Sequence, residues 1–515
     1  MKHSSTLCLT VLLSASAFVA SCSSKATTSV GGNSGHIPLD DCGPAADCGP
    51  SGGQFFDNGK VAELRIYIAD DDVEKAVAIE RLNGKLDSAK HGWLDVLWAR
   101  FAPCDTVVDL PVTMEYRSPD HVGNAVLSHV GMRLRGTKSR GINALQGFKL
   151  DINELTQETD LDAGSPSRKF ANLNTVNALS IEGDFSLMLQ CAAYKVMRDN
   201  NVPAPRCNHL SVYINGAYYG LMQSVESVHT NSFLKKAFDD KTGSLYAASA
   251  GCLYKDSFAD LKYISDSFSD YLEPPKYEQV QGATGAPDSD LVPMLKCGDA
   301  TSTPDPEAFR ACIQEWIDVP EWLRLIAGES LMPTLESFLG ALRNYYLYFA
   351  PDVTAPHGGR FKIYSWDYDT AFQHQQVYPA SGDPFSTVTQ WFFPSTRAKL
   401  ATRLTSVFKA EYCAAMNTFL SDVYKPELID EIAAPLESVV SNAALTSSTW
   451  PLRSTIACGD DAGTDAGTCK GAPLTTDVWR SNVAEIRDFI AQNRTKMTAL
   501  VATKCGTPSV DAGGQ

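Results

Sequence analysis

RFKIYSWDYDTAF, residues 360–372, decides how the rest of the chain is read. From Arg360 to Trp366 the side chains alternate, with Phe361, Ile363 and Ser365 on one face and Lys362, Tyr364 and Trp366 on the other. A period of two is the mark of a strand. The strand runs straight into Asp367 and Asp369, two carboxylates two residues apart among large aromatic side chains. Carboxylates at a strand end are hard oxygen donors. If the strand continues through Tyr368, both point the same way.

Upstream, the same period recurs. VAELRIYIAD places Leu64, Ile66 and Ile68 on one face, and VVDLPVTMEYRS and HVGMRLRG are two further strand candidates. GFKLDIN sets Phe148, Leu150 and Ile152 against Lys149 and Asp151. Residues 61–155 therefore read as mostly β. The period then changes to that of a helix. After Asp184, a natural N-cap, the residues Phe185, Met188, Leu189, Ala192, Ala193, Val196 and Met197 share one helical face, until Asn200, Asn201 and Pro203 stop it. HLSVYING and YGLMQSVES read as a hairpin turning at Asn-Gly. Residues 252–312 read as an irregular insertion with local helices. Helical spacing returns from PEWLRLIAGESL through NYYLYF, and again over residues 397–505. The fold class expected is α+β, with a β-rich N-terminal part and a helical C-terminal part.

The chain has 515 residues, 44% of them hydrophobic and 20% charged, enough for a core of ordinary size. The formal net charge of −16 argues against nucleic acid as a partner, because phosphates need a basic excess. Residues 1–22 read as an export signal: Lys2 and His3 precede a short apolar run ending in VASC. That ending resembles a bacterial lipobox, which implies cleavage before Cys22 and a lipid on its thiol. Residues 23–54, rich in Ser, Thr, Gly and Pro, form a tether, and residues 506–515 a disordered tail. The expected location is the bacterial cell envelope, at the outer membrane or cell surface. Of 14 cysteines, Cys8 and Cys22 fall in the signal and lipid positions; the other twelve suit an oxidising compartment. Cys42 with Cys48, and Cys458 with Cys469, are the close pairs expected to be bridged.

VGMRLRGTKSR, FKLDI, GDFSLMLQCAAYKVMRDNNVPAPR, VYINGAYYGLMQSVE, RNYYLY and KIYSWDYDTAF occur in an order that resembles the CotH kinase family, secreted atypical protein kinases. The resemblance covers a core of residues 55–400, with residues 401–505 as a helical remainder. It implies ATP as cofactor with Mg2+ or Mn2+, an atypical protein-kinase-like fold, and transfer of the γ-phosphoryl group to Ser or Thr of a protein on the cell surface. In those roles Asp367, Asp369 and Asn344 would hold the metal, and Lys149 would reach the phosphates. Glu226 would orient Lys149 or contact the nucleotide, and Arg135, Ser139 and Arg140 would cover the phosphates at a turn.

The family usually carries an Asp about eight residues before the Asn of its N-Y-Y stretch, a candidate to orient the acceptor hydroxyl. Here Glu336 stands at that place. Its extra methylene moves the carboxylate by an ångström or more, a displacement that can cost about 10²-fold in rate. On an unbroken helix Glu336 and Asn344 would lie about 12 Å apart, too far to serve one phosphoryl group. Gly340 is the residue that would break it. Glu336 makes a slow or inactive pseudokinase, serving as a surface scaffold, the main rival reading. A metal-dependent hydrolase and a purely structural surface lipoprotein are the others.

Overall fold

The computed structural model describes residues 46–87, 91–100, 109–135, 145–155, 168–181, 184–248, 258–272, 275–283, 285–334, 337–372, 398–441 and 475–505. Cys22, Cys42, Ser139, Arg140, Glu336, Cys458 and Cys469 lie outside them, as do the signal segment and the tail. The fold is mixed α and β. Its strands are β1 (Asp47–Cys48), β2 (Ala62–Tyr67), β3 (Leu110–Arg117), β4 (Ala125–Arg135), β5 (Gly147–Asp151), β6 (Lys169–Phe170), β7 (Thr175–Ala178), β8 (Cys207–Ile214), β9 (Ala217–Val225), β10 (Ser244–Ala248), β11 (Tyr277–Gln281), β12 (Tyr345–Pro351) and β13 (Gly359–Ser365).

A seven-stranded sheet has the order β7-β5-β4-β3-β2-β8-β9, antiparallel except for the β2–β8 pair. Alternation gives it two unlike faces. Leu64, Ile66, Val112, Met114, Met132, Leu134, Phe148 and Leu150 fill one core. Each such side chain, fully buried, contributes about 1.5–3 kcal/mol. The helices Asp70–Leu82 and Trp93–Ala99 add Ala76, Val77, Val96 and Leu97 to this core. Both helices interrupt the stretch expected to be mostly β; three aspartates at the first turn, Asp70 to Asp72, favour the first of them. The β8–β9 hairpin turns on Asn215 (φ 49°) and Gly216 (φ 81°), the left-handed pair that an Asn-Gly turn supplies.

A four-stranded antiparallel sheet, β11-β10-β12-β13, carries the stretch quoted at the outset. Phe361 and Ile363 of β13 enter the large helical core. Tyr364, with half-buried Trp366 beside it, enters a small aromatic core built from Phe233, Tyr346 and Tyr348. The alternation read from the sequence thus separates two cores. The outer edge of β13 is covered by the helix Val319–Leu331: Trp322 Nε1 and the Asp318 amide donate to Phe361 O at 2.9 and 3.1 Å, and the Ile363 amide donates to Glu321 Oε1 at 3.1 Å.

Two expectations are corrected here. NYYLYF is a strand, not helix: β12 pairs along its whole length with β13, from Tyr345 opposite Ser365 to Pro351 opposite Gly359. The insertion has the local helices expected of it, Leu291–Gly298 and Pro306–Trp316, but it also contains a strand, β11, paired with β10. Further helices lie at Lys399–Val407, Lys409–Thr418, Glu427–Val440 and Thr476–Cys505. Disulfides join Cys191 to Cys207, Cys297 to Cys312 and Cys413 to Cys505, and Cys48 is also disulfide-bonded. Among the described residues no helix is long and apolar enough to cross a membrane.

Candidate active site

The second face of the seven-stranded sheet is polar. Because Met132 and Leu134 point into the core, Arg133 and Arg135 of β4 point away from it; by the same alternation Lys149 and Asp151 oppose Phe148 and Leu150 on β5. Register sets Arg133 directly opposite Lys149, and Lys149 opposite Asn177 of β7. Like charges opposite one another are unfavourable, and two carboxylates offset them. Lys149 Nζ lies 3.1 Å from Asp151 Oδ2, and Arg133 lies 3.4 Å from Asp109 and 4.0 Å from Asp151. Burial raises the Asp109 carboxyl to about 6 and lowers the Lys149 ammonium from its ordinary value.

Arg135, the last residue of β4, differs from its neighbours. Its guanidinium donates to the neutral Asn177 amide, and among the described residues it forms no ion pair. Burial lowers its pKa; Tyr346, Asp367 and Tyr194 act in the opposite direction. Tyr346 belongs to β12, Tyr194 to the helix Leu189–Asp199 and Asp367 to the loop after β13, so Arg135 is where the polar face meets the acidic loop.

The segment after β9 joins the two sheets. Ser227 bonds to Asn177 Nδ2 at 2.9 Å and to Thr175 at 3.1 Å, and Val228 O accepts from the Tyr364 hydroxyl at 3.0 Å. His229 then stacks on Tyr346, with ring centroids 6.5 Å apart. His229 keeps solvent contact, yet burial lowers its pKa to about 4, helped by the charges of Arg135 and Lys149.

β13 ends at Ser365, short of the acidic pair, so the strand does not continue through Tyr368. The chain instead turns at Asp367, whose φ is 67°. Asp367 is half-buried, Tyr368 fully buried and Asp369 exposed. The Asp367 amide donates to the Tyr194 hydroxyl at 2.9 Å, and both carboxylates act on that hydroxyl, whose pKa burial and these charges raise well above the ordinary value. Asn344, with φ 56°, lies directly before β12. Its carbonyl accepts from the Trp366 amide at 2.9 Å, and its Nδ2 donates to Asp367 Oδ2 at 3.2 Å. Left-handed backbone costs an ordinary L-residue roughly 1–2 kcal/mol, and Asn and Asp tolerate it best. The two residue types at 344 and 367 therefore satisfy the backbone as well as placing an amide and a carboxylate side by side.

The helix before Asn344 is not continuous. It ends at Leu331, and the chain from Ser337 turns, with Leu342 also left-handed at φ 56°. The distance argument against Glu336 therefore falls, although Glu336 itself lies outside the described residues. Asp184, taken as a helix N-cap, accepts the amides of Ser186, Leu187 and Leu189 at 2.9, 3.0 and 2.8 Å, but the helix starts only at Leu189 because Leu187 is left-handed.

Glu226 is placed differently from expectation. It is buried and accepts from Arg206 Nε at 3.0 Å and Arg206 Nη2 at 2.7 Å, with Lys236 as a further donor. Lys149 pairs with Asp151, so Glu226 does not orient it. The structure thus sets Asn344 against Asp367, with Arg135 acting on Asp367 from one side and on Lys149 from the other, and sets Glu226 in a separate ion cluster. Sequence reasoning missed Tyr194, Asn177 and His229. Tyr194 falls within the amphipathic helix and reads there as one more core aromatic; for Asn177 and His229 no spacing gave a signal.

Mg2+ and Mn2+ are commonly held by one or two carboxylates together with substrate phosphates. Asp367 beside Asn344 fits that demand. Among the described residues no group of three or more His, Cys, Asp or Glu side chains could hold a metal without such help. The site thus combines a cationic sheet face with a carboxylate–amide pair. The CotH kinase protein family matches residues 132–497, and the chain belongs to that family. The match starts at Met132, inside β4, and extends through the helical remainder into the last helix. No curated protein matches the chain.

Proposed function

We propose that the protein is an atypical protein kinase, with a kinase-like arrangement of the two sheets, that transfers the γ-phosphoryl group of ATP to Ser or Thr of a cell-surface protein. The observation that carries this reading is the Asn344–Asp367 contact facing Arg135, whose charge has no ion-pair partner among the described residues. In this reading Asp367 and Asn344 hold Mg2+ or Mn2+, Asp369 assists from the exposed side of the turn, and Lys149 and Arg135 bind the phosphates. Such a site works by positioning and charge neutralisation, which is most of what phosphoryl transfer requires. Glu336 is the acceptor-orienting candidate, and Ser139 and Arg140 extend the phosphate-covering turn. Cys22 carries the lipid that anchors the chain to the envelope; the disulfides support an oxidising location.

A catalytically weak scaffold of the same fold is the second reading, favoured by Glu in place of the family's usual Asp. Incubation of the protein with γ-labelled ATP and Mn2+ or Mg2+, beside Lys149→Met, separates the two. Label on protein, reduced at least about tenfold in the variant, supports the kinase. ATP binding without protein label supports the scaffold.

A further inference from the structure

Glu329 is fully buried near the end of the helix Val319–Leu331, and nothing in the site described so far uses it. Its carboxylate meets donors from two directions. Oε1 accepts from Ser365 Oγ at 2.7 Å and from the Tyr368 hydroxyl at 3.0 Å. Oε2 accepts from the Leu339 amide at 2.8 Å, and Ser337 is a further hydrogen-bonding partner. Ser365 and Tyr368 bracket Asp367, while Ser337 and Leu339 begin the turn that delivers Asn344.

We propose that Glu329 is the positioning residue of the metal site, one carboxylate that fixes the Asn344 segment against the Asp367 segment. The proposal rests on reading Asn344 and Asp367 as ligands of one cation. Both residues, and Leu342, sit in left-handed backbone, a conformation that persists only where the surroundings over-determine it. The Asn344–Asp367 contact alone is half-exposed and 3.2 Å long; the bonds to Glu329 lie in the dry interior behind it, where hydrogen bonds hold most firmly. Four donors converging on one side chain call for an acceptor on both of its atoms, which a carboxylate is and an amide is not. Burial raises the pKa of Glu329 above its ordinary value, with its hydrogen-bond donors acting against that rise. Gln at this place would turn an N–H2 group toward a donor and release one of the two segments.

The test uses the full chain and four proteins: wild type, Glu329→Gln, Tyr368→Phe and Ser365→Ala. Amide exchange over residues 337–345 and 365–370 is measured without metal, and Mn2+ affinity in the presence of ATP by electron paramagnetic resonance. Expected in Glu329→Gln are faster exchange in both segments and Mn2+ binding weakened about 10–100-fold, the range for lost support of a metal ligand. Tyr368→Phe and Ser365→Ala should each loosen residues 365–370 and weaken Mn2+ by a smaller factor. A folded Glu329→Gln with unchanged Mn2+ affinity overturns the proposal, whatever its melting temperature. If Glu329→Gln does not fold, unchanged Mn2+ affinity in both single-donor variants overturns it instead. Absence of Mn2+ binding by the wild type refutes the metal-site reading and the positioning role with it; the exchange rates then still decide whether Glu329 couples the two segments.

Discussion

Asp367 has a backbone role and a charge role, and two substitutions separate them. Its φ of 67° suits Asp and Asn but costs Ala roughly 1–2 kcal/mol. Ala also loses the hydrogen bond from Asn344. A bond to a charged group is worth about 1.5–3 kcal/mol when buried, and about 1 kcal/mol at this half-exposed place, where water screens it. Asp367→Ala should therefore be destabilised by about 2–3 kcal/mol, which lowers Tm by about 2–3 °C in a domain of this size. Asp367→Asn keeps the left-handed turn and should melt within about 1 °C of wild type. Both remove the anionic ligand, so both should bind Mn2+ about 10²-fold more weakly and lose protein labelling from γ-labelled ATP. Thermal melts and Mn2+ titrations of the three proteins give all the numbers. Asn binding Mn2+ as well as wild type would refute the ligand role; Ala melting as high as Asn would refute the backbone reasoning.

Three other outcomes are expected. His209, buried and donating to Leu187 O at 2.6 Å, has its pKa lowered by burial to about 4. The unfolded chain then binds the extra proton between pH 6.5 and 4, so about 3 kcal/mol of stability present above pH 6.5 is lost as pH falls to 4; unfolding curves for His209→Asn should be flatter across that window. Asp109, raised to about 6, changes stability in the opposite sense as pH falls, which is why the comparison with the variant, not the wild-type profile alone, is the measurement. Glu226→Gln should cost about 2–4 kcal/mol by leaving Arg206 and Lys236 without their buried partner, while ATP affinity measured by calorimetry stays within about threefold of wild type. Cys413 and Cys505, 92 residues apart, close a loop whose opening in a Cys413→Ala, Cys505→Ala protein should cost about 4–5 kcal/mol in denaturant unfolding.

Alternation was legible wherever a strand lies between unlike surroundings. β13 divides Phe361 and Ile363 from Tyr364, and β5 divides Phe148 and Leu150 from Lys149, so the sequence showed these strands and set Lys149 apart from the core, but not Arg133 and Arg135 beside it on β4. Apolar spacing misled before Asn344. Phe338, Leu339 and Leu342 recur at helical intervals, yet they are buried in a turn whose amides are satisfied by Glu329 and by the Ser337 side chain and carbonyl. Spacing reports burial; only hydrogen bonding from elsewhere in the fold decides between a helix and a buried turn. The partners of Lys149 and Glu226 were illegible for a related reason. Asp151 stands two residues from Lys149 on the same face, and Arg206 reaches Glu226 across the paired strands, so nearer partners displaced the long-range pair that the family resemblance implied. The left-handed turns at Leu342 and Asp367 leave no mark in composition, because neither is glycine.

The most direct test is diffraction from crystals grown with Mn2+ and a non-hydrolysable ATP analogue, collected where manganese scatters anomalously. The predicted result is an anomalous peak within coordination distance of Asp367 and Asn344, with the triphosphate lying along Arg135 and Lys149. A peak elsewhere, with Asp367 still hydrogen-bonded to Asn344 and no phosphate near Arg135, would contradict it.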